Sequence, residues 1–332
     1  MTSSFSRRAM LHGMAALGGA ATVGSQVHAD MRWPNKPIRL VVPFNAGGAT
    51  DTMARTLGEA LSKRIGQPVL VENKPGASGI LGTSEVVRAP ADGYTLLVSL
   101  STSMLINQFL YTKLPYQPQK DLLMLSQIAA APVTLVVHPS VPANNMLELL
   151  AYVKQNKGKL SYGSWGAGSY AHLAGAYMSK SQDADMVHAP YRGEAPMIQD
   201  LIGGQVTMCF SSALNTKPFI ATGQLKGIGA TGKERMEILP DLPTIYEQGV
   251  QDDAYSVFGW VAIGAPAGLP QGIVDQLSDH ISEIAKDPNM IERVKNAGFR
   301  VLMNRPEQFR QNYERDLPVW ERLVEVAEAR LD

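Results

Sequence analysis

The chain has 332 residues, 45% of them apolar, and its 30 basic residues balance 30 acidic ones, so it lacks the basic excess of a nucleic-acid or anionic-membrane binder. Cys209 is the sole cysteine, which excludes an intramolecular disulfide, and four of the six histidines, His138, His172, His188 and His280, fall at no metal-ligand spacing. The composition therefore implies neither a metal nor a cofactor.

The N-terminus reads as an export signal. Arg7 and Arg8 form its charged start, residues 9–26 are weakly apolar, and Val27 and Ala29 are small residues suited to a cleavage site. Ser6-Arg7-Arg8 with Leu11 is similar to a twin-arginine signal, although Met10 stands where that motif usually has Phe, and a general secretory signal is the alternative. Several glycines and His12 make the segment too polar for a transmembrane span. Cleavage after Ala29 leaves 303 residues with 28 basic and 30 acidic side chains, a length suited to two lobes. The expected location is the periplasm.

From Ile38 onward, apolar β-branched runs alternate with helical periodicity, the mark of sheets covered by helices. Strands are expected at 38–43, 68–72 and 94–99. Between the first two, Met53, Leu57, Leu61 and Ile65 mark one helix face at spacings of four. A short helix at 80–88 ends before Pro90, with a turn at Asp92-Gly93. A second unit follows, with strands at 133–137, 160–164, 186–189, 206–210 and 225–230 and helices at 146–154, 171–179, 195–202 and near 217–221. An apolar strand at 257–263 leads to helices at 272–286, 289–297 and 306–330 that have no sheet of their own beyond 300–303. They are expected to return to the first lobe. The reading is α/β, with two doubly wound lobes, residues 30–131 with 258–332 and residues 132–257, joined by a two-segment hinge around a cleft.

Open α/β sheets bind ligands beyond the carboxyl ends of their strands. The first such loop, Phe44-Asn45-Ala46-Gly47-Gly48-Ala49-Thr50-Asp51, can turn successive N–H groups toward an anion, with Thr50 or Asp51 capping the helix behind. The second lobe repeats the design in Tyr162 to His172, where Ser164, Gly168, Ser169 and His172 are candidates to face it. Ser101, Thr102, Arg192 and Ser212 are candidate walls; Arg192 can pair a carboxylate or bridge to Glu194. There is no Gly-x-Ser-x-Gly elbow, Walker loop or dinucleotide fingerprint, so no catalytic residue is assigned and an enzyme is not expected. An exported hydrolase using Asp51, His172 and a serine is the weaker enzymatic alternative.

The mature chain resembles the Bug family, the substrate-binding receptors of tripartite tricarboxylate transporters. The resemblance rests on Trp33-Pro34-x-Lys36-Pro37-Ile38, Gly47-Gly48-x-x-Asp51, Val71-Glu72-Asn73-Lys74-Pro75-Gly76-Ala77-x-Gly79, Asp92-Gly93-Tyr94 and His172-Leu173-Ala174-Gly175. Pro190-Tyr191-Arg192-Gly193, Leu239-Pro240-Asp241 and Ala265-Pro266-Ala267-Gly268 extend it. Ala46 and Ser78 depart from the family's usual Pro and Gly. The resemblance implies a Venus-flytrap periplasmic binding protein, monomeric and without catalysis, that grips a small mono- or dicarboxylate, aliphatic or aromatic, with main-chain amides and passes it to membrane permease subunits. A periplasmic sensor feeding a two-component system is the alternative in another class.

Overall fold

The structure, a computed structural model, describes residues 33–191 and 193–331. The expected export signal and Arg192 lie outside these residues.

Among the described residues, eleven strands form two sheets. They are β1 (Ile38–Val42), β2 (Val69–Asn73), β3 (Thr95–Leu100), β4 (Leu122–Ala131), β5 (Val133–Val137), β6 (Ser161–Ser164), β7 (Val187–Pro190), β8 (Met208–Ser212), β9 (Lys226–Ala230), β10 (Gly259–Pro266) and β11 (Arg300–Val301). Sheet A has the order β11-β4-β10-β3-β1-β2 and sheet B the order β7-β6-β8-β5-β9. The helices are α1 (Ala49–Ile65), α2 (Ile80–Val87), α3 (Asn107–Leu110), α4 (Pro118–Asp121), α5 (Met146–Gln155), α6 (Tyr170–Ser181), α7 (Glu194–Ile202), α8 (Ala213–Ala221), α9 (Asp253–Ser256), α10 (Gln271–Ile284), α11 (Pro288–Asn296) and α12 (Pro306–Val326). Two α/β lobes result, as the alternation of elements indicates.

Local chemistry accounts for the main elements. Met53, Leu57 and Leu61 are fully buried on one face of α1, which stops at Gly66 in the left-handed conformation, its N–H donating to the Ser62 carbonyl. Asn145 caps α5 by accepting from the Glu148 N–H at 2.9 Å, while Glu148 accepts from the Asn144 N–H at 2.8 Å. Asp287 caps α11, and Pro288 occupies its first turn, where no N–H is missed.

The parallel wraps lie where expected, with β1 between β2 and β3, and β6 between β7 and β8. The strands beside the crossings run the other way. β10 is antiparallel to β3 and β4, and β5 is antiparallel to β8 and β9. The chain leaves sheet A at Ala131, enters sheet B at Val133, and returns at Gly259 beside Ala131.

Three details differ from the sequence expectations. No strand is expected between Ser103 and Ala131, yet β4 is the longest strand described, because β10 and β11 pair both of its edges. β8 ends at Ser212 rather than at 210, and α8 begins at once with Ala213, so Ser211 belongs to a strand. α10 and α11 pack on α1, but α12 lies against both β4 and α6, touching elements of both sheets.

Candidate functional site

The carboxyl ends of β1, β2 and β3 gather three loops. Gly47 takes φ +81°, a conformation that favours glycine, and its N–H donates to Asp51 Oδ2 at 2.8 Å. Arg55 Nε donates to the same oxygen at 3.0 Å, and Asn73 Nδ2 donates to Asp51 Oδ1 at 3.0 Å and to the Phe44 carbonyl at 3.1 Å. Burial opposes ionisation of Asp51, but the hydrogen bonds from Arg55, Gly47 and Asn73, with the Arg55 charge, outweigh it and hold the carboxyl below its ordinary range. Asp51 is buried and thus a staple of the loop, with both oxygens engaged inside it.

Gly48 is the N-cap of α1 in extended conformation and has no side chain to close the helix, which carries no side-chain cap. The first-turn amides therefore lack the partner that a capping residue supplies, and the positive end of the helix dipole opens at the sheet edge. Asn45 is exposed beside it. The Phe44 ring edge and Ser103 Cβ lie 3.2 and 3.1 Å from where a Cβ on Gly79 would stand, so the loops after β1, β2 and β3 meet there. Asn107 Nδ2 and the Tyr111 hydroxyl hold Ser78 at 3.0 and 3.2 Å. Ser101 is buried and Thr102 half-buried at the start of a π turn.

The glycine loop of sheet B is built differently. Ser169 caps α6, accepting from the His172 N–H at 3.4 Å and donating to the Gly166 carbonyl at 2.6 Å. The Gly168 N–H donates to His172 Nδ1 at 3.0 Å. Gly168 has φ +75°, and a Cβ there would lie 2.5 Å from Leu110 Cδ1 of α3, so this glycine allows sheet B's loop to touch the other lobe. His172 stacks on His188 with centroids 4.0 Å apart, and His188 stacks on Tyr162 at 5.0 Å. Burial lowers the His172 pKa, and burial together with the neighbouring His172 lowers that of His188 to about 4.

Ser164 Oγ lies 2.7 Å from His188 Nε2, the contact expected of a nucleophile and its base. Ser164 is fully buried, however, and its oxygen also bonds the Gly166 carbonyl and N–H. Asp51 and His172 share no hydrogen bond, so the triad considered from the sequence is not assembled.

At the end of β8, Ser212 meets a residue absent from the sequence-based candidates. Glu194, the first residue of α7, accepts from the Ser212 N–H at 3.2 Å through Oε1 and from the Ser212 hydroxyl at 2.5 Å through Oε2; Asn215 Nδ2 also donates to Oε2. Its place directly after Pro190-Tyr191-Arg192-Gly193 is the available sequence signal. Among the described residues, no group of three His, Cys, Asp or Glu side chains is placed to hold a metal. Cys209 is buried, which pushes its thiol pKa well above the ordinary value.

Strand register relates the two rims. Val133, the first residue of β5, pairs with Ser212, while Gly259 pairs with Ala131. Val261 pairs with Leu100, and a Cβ on Gly259 would lie 3.4 Å from Ser101 Oγ. Ser101 and the Ser212–Glu194 corner therefore flank the same short crossing at Pro132, and the carboxyl ends of β3 and β8 border one boundary between the sheets. Ser164 and the Gly168 loop belong to the same edge of sheet B, whereas Phe44, Asn45, Gly47, Gly48 and the backbone of Ala49 belong to that of sheet A.

Residues 53–328 match the family described as tripartite tricarboxylate transporter family receptor. A solved periplasmic binding protein, BugD, is 35% identical, with a TM-score of 0.74 over 90% of this chain and 99% of its own. An R. palustris protein solved with adipate is 31% identical, with a TM-score of 0.78 over 90% of this chain and 100% of its own. MatC from Rhodopseudomonas palustris, solved with bound malate, is 29% identical, with a TM-score of 0.74 over 88% of this chain and 100% of its own. Among the described residues, no helix is long and apolar enough to cross a membrane.

Proposed function

Because the chain belongs to the tripartite tricarboxylate transporter receptor family, we propose that it captures a small carboxylate between its two lobes outside the cytoplasmic membrane and delivers it to permease subunits. The observation that carries this reading is the open N-terminus of α1. Gly48 supplies no cap, and Asp51, the carboxylate nearest in sequence, is already bound to Gly47, Arg55 and Asn73. A ligand carboxylate fits there as the acceptor for first-turn amides, with Phe44, Asn45, Ser101 and Thr102 as walls. The adipate and malate bound by the two relatives support a carboxylate of modest size.

In this reading Asp51, Ser164, Gly168, Ser169 and His172 shape the two rims, while Arg192 is a further candidate for the ligand. Lobe 1 comprises residues 30–131 and 258–332, lobe 2 residues 132–257, and residues 1–29 are a twin-arginine signal removed on export to the periplasm. The receptor acts as a monomer and performs no chemistry; the burial of Ser164 supports that, since a nucleophile must reach its substrate.

The test is thermal melting of residues 30–332 against mono-, di- and tricarboxylates, aromatic acids, sugars and amino acids. A cognate ligand at one hundred times its Kd adds about 2.7 kcal/mol and raises the midpoint by several degrees. A shift with a few carboxylates alone is expected. A shift with sugars alone refutes the reading.

A further inference from the structure

Glu194 places a carboxylate at the Ser212 corner of the sheet-B rim, where the sheet-A rim has none free. On sheet A, the first turn of α1 is uncapped and Asp51 is turned into its own loop. On sheet B, the α6 N-terminus is closed by Ser169, the Gly168 N–H by His172, and the Ser212 N–H by Glu194, while α7 and α8, whose N-caps are Gly193 and Ser212, carry no side-chain cap. The Glu194 carboxylate accepts from the Ser212 amide, the Ser212 hydroxyl and the Asn215 side chain. A group that would otherwise orient an incoming anion is thus already serving an internal one. The residue is half-buried rather than hidden. Its corner borders the crossing at Pro132, opposite Ser101.

We propose that Glu194 is a specificity-determining residue: it places a carboxylate acceptor at the Ser212 corner of the cleft, so the receptor prefers a ligand with one carboxylate and a hydrogen-bond-donating far end, such as an amide, hydroxyl or ammonium, over the matching dicarboxylate. This rests on the carboxylate reading of the α1 N-terminus. Two effects act together. A second carboxylate at the Ser212 corner meets the like charge of half-buried Glu194, and it finds the Ser212 and Asn215 donors engaged. A donor at the same position instead meets an acceptor held in place by three hydrogen bonds.

The experiment measures Kd by calorimetry for succinate, glutarate, adipate and terephthalate, each against its own monoamide, which has nearly the same length and shape. The wild-type protein, Glu194→Gln and Glu194→Asp are compared. Wild type is expected to favour the monoamide by about tenfold or more in at least one pair, Glu194→Gln to move that ratio toward the diacid by about tenfold, and Glu194→Asp to retain the wild-type preference. A merely structural role for Glu194 would alter the melting midpoint of the free protein and weaken both members of a pair equally. The proposal is overturned if wild type binds the diacids as tightly as the monoamides, or if Glu194→Gln leaves the ratio within about threefold. Failure of every acid to bind any of the three proteins defeats the carboxylate reading itself and this inference with it, a result distinct from a level ratio among acids that bind.

Discussion

Replacing Gly48 with Asp separates stability from binding at the α1 N-terminus. Gly48 has φ −77° and ψ 171°, open to any residue, and a Cβ there would meet only the Asn45 carbonyl at 3.5 Å, an ordinary contact. Aspartate caps helices better than glycine by a few tenths of a kcal/mol, and its charge near the helix start adds about 0.3–1 kcal/mol. The free protein should therefore melt at the same temperature or slightly higher. The new carboxylate also takes the first-turn amides assigned to the ligand. Losing two charge-assisted hydrogen bonds of about 1.5 kcal/mol or more each weakens Kd by about a hundredfold or more. Calorimetry with the best acid from the melting panel reads the affinity, and Gly48→Ala, which adds bulk without charge, is the control. A Kd within about threefold of wild type in a Gly48→Asp protein of undiminished stability would refute the assignment of the carboxylate seat.

The second glycine loop should respond in the opposite way. Gly168→Ala forces an alanine to φ +75° and drives its Cβ into buried Leu110, which costs about 2–4 kcal/mol from left-handed strain and overpacking and lowers the melting midpoint by several degrees. An unchanged midpoint would show that the contact with α3 is not tight. The stacked histidines set an acid limit. His188 is held neutral in the fold, with its pKa lowered from 6.5 to about 4, so the unfolded chain binds more protons between those values, and stability falls as pH drops through that window. Urea unfolding at pH 7 and pH 5 should show a smaller loss for His188→Gln than for wild type; equal losses would place the acid sensitivity elsewhere.

The β-branched runs at Ile38–Val42 and Val133–Val137 are legible because burial on both faces leaves a near-continuous apolar run, and the Met53-Leu57-Leu61 stripe because burial on one helix face leaves a period. β4 leaves none. Its Leu-Leu-Met-Leu-Ser-Gln-Ile-Ala-Ala-Ala run favours a helix by composition, and pairing with β10 and β11 decides the matter. The two glycine loops look alike as sequence but differ in what folds back on them. Asp51 returns to Gly47 and leaves α1 uncapped, whereas Ser169 and His172 close the start of α6. That choice is made by side-chain geometry, as is the reach of Glu194 to Ser212, which spans 18 residues and joins the start of α7 to the end of β8.

The position of β10 has a consequence for the order in which this molecule can be completed. All five strands of sheet B lie between residues 133 and 230, so that sheet can form as soon as the middle of the chain is available. Sheet A needs Gly259–Pro266 to fill the gap between β3 and β4. Until that segment arrives, two long apolar strands present unpaired edges, the features most prone to join another chain. The half of the protein made first is therefore finished last, and a nascent chain stopped before residue 259 holds a complete second sheet beside an incomplete first one.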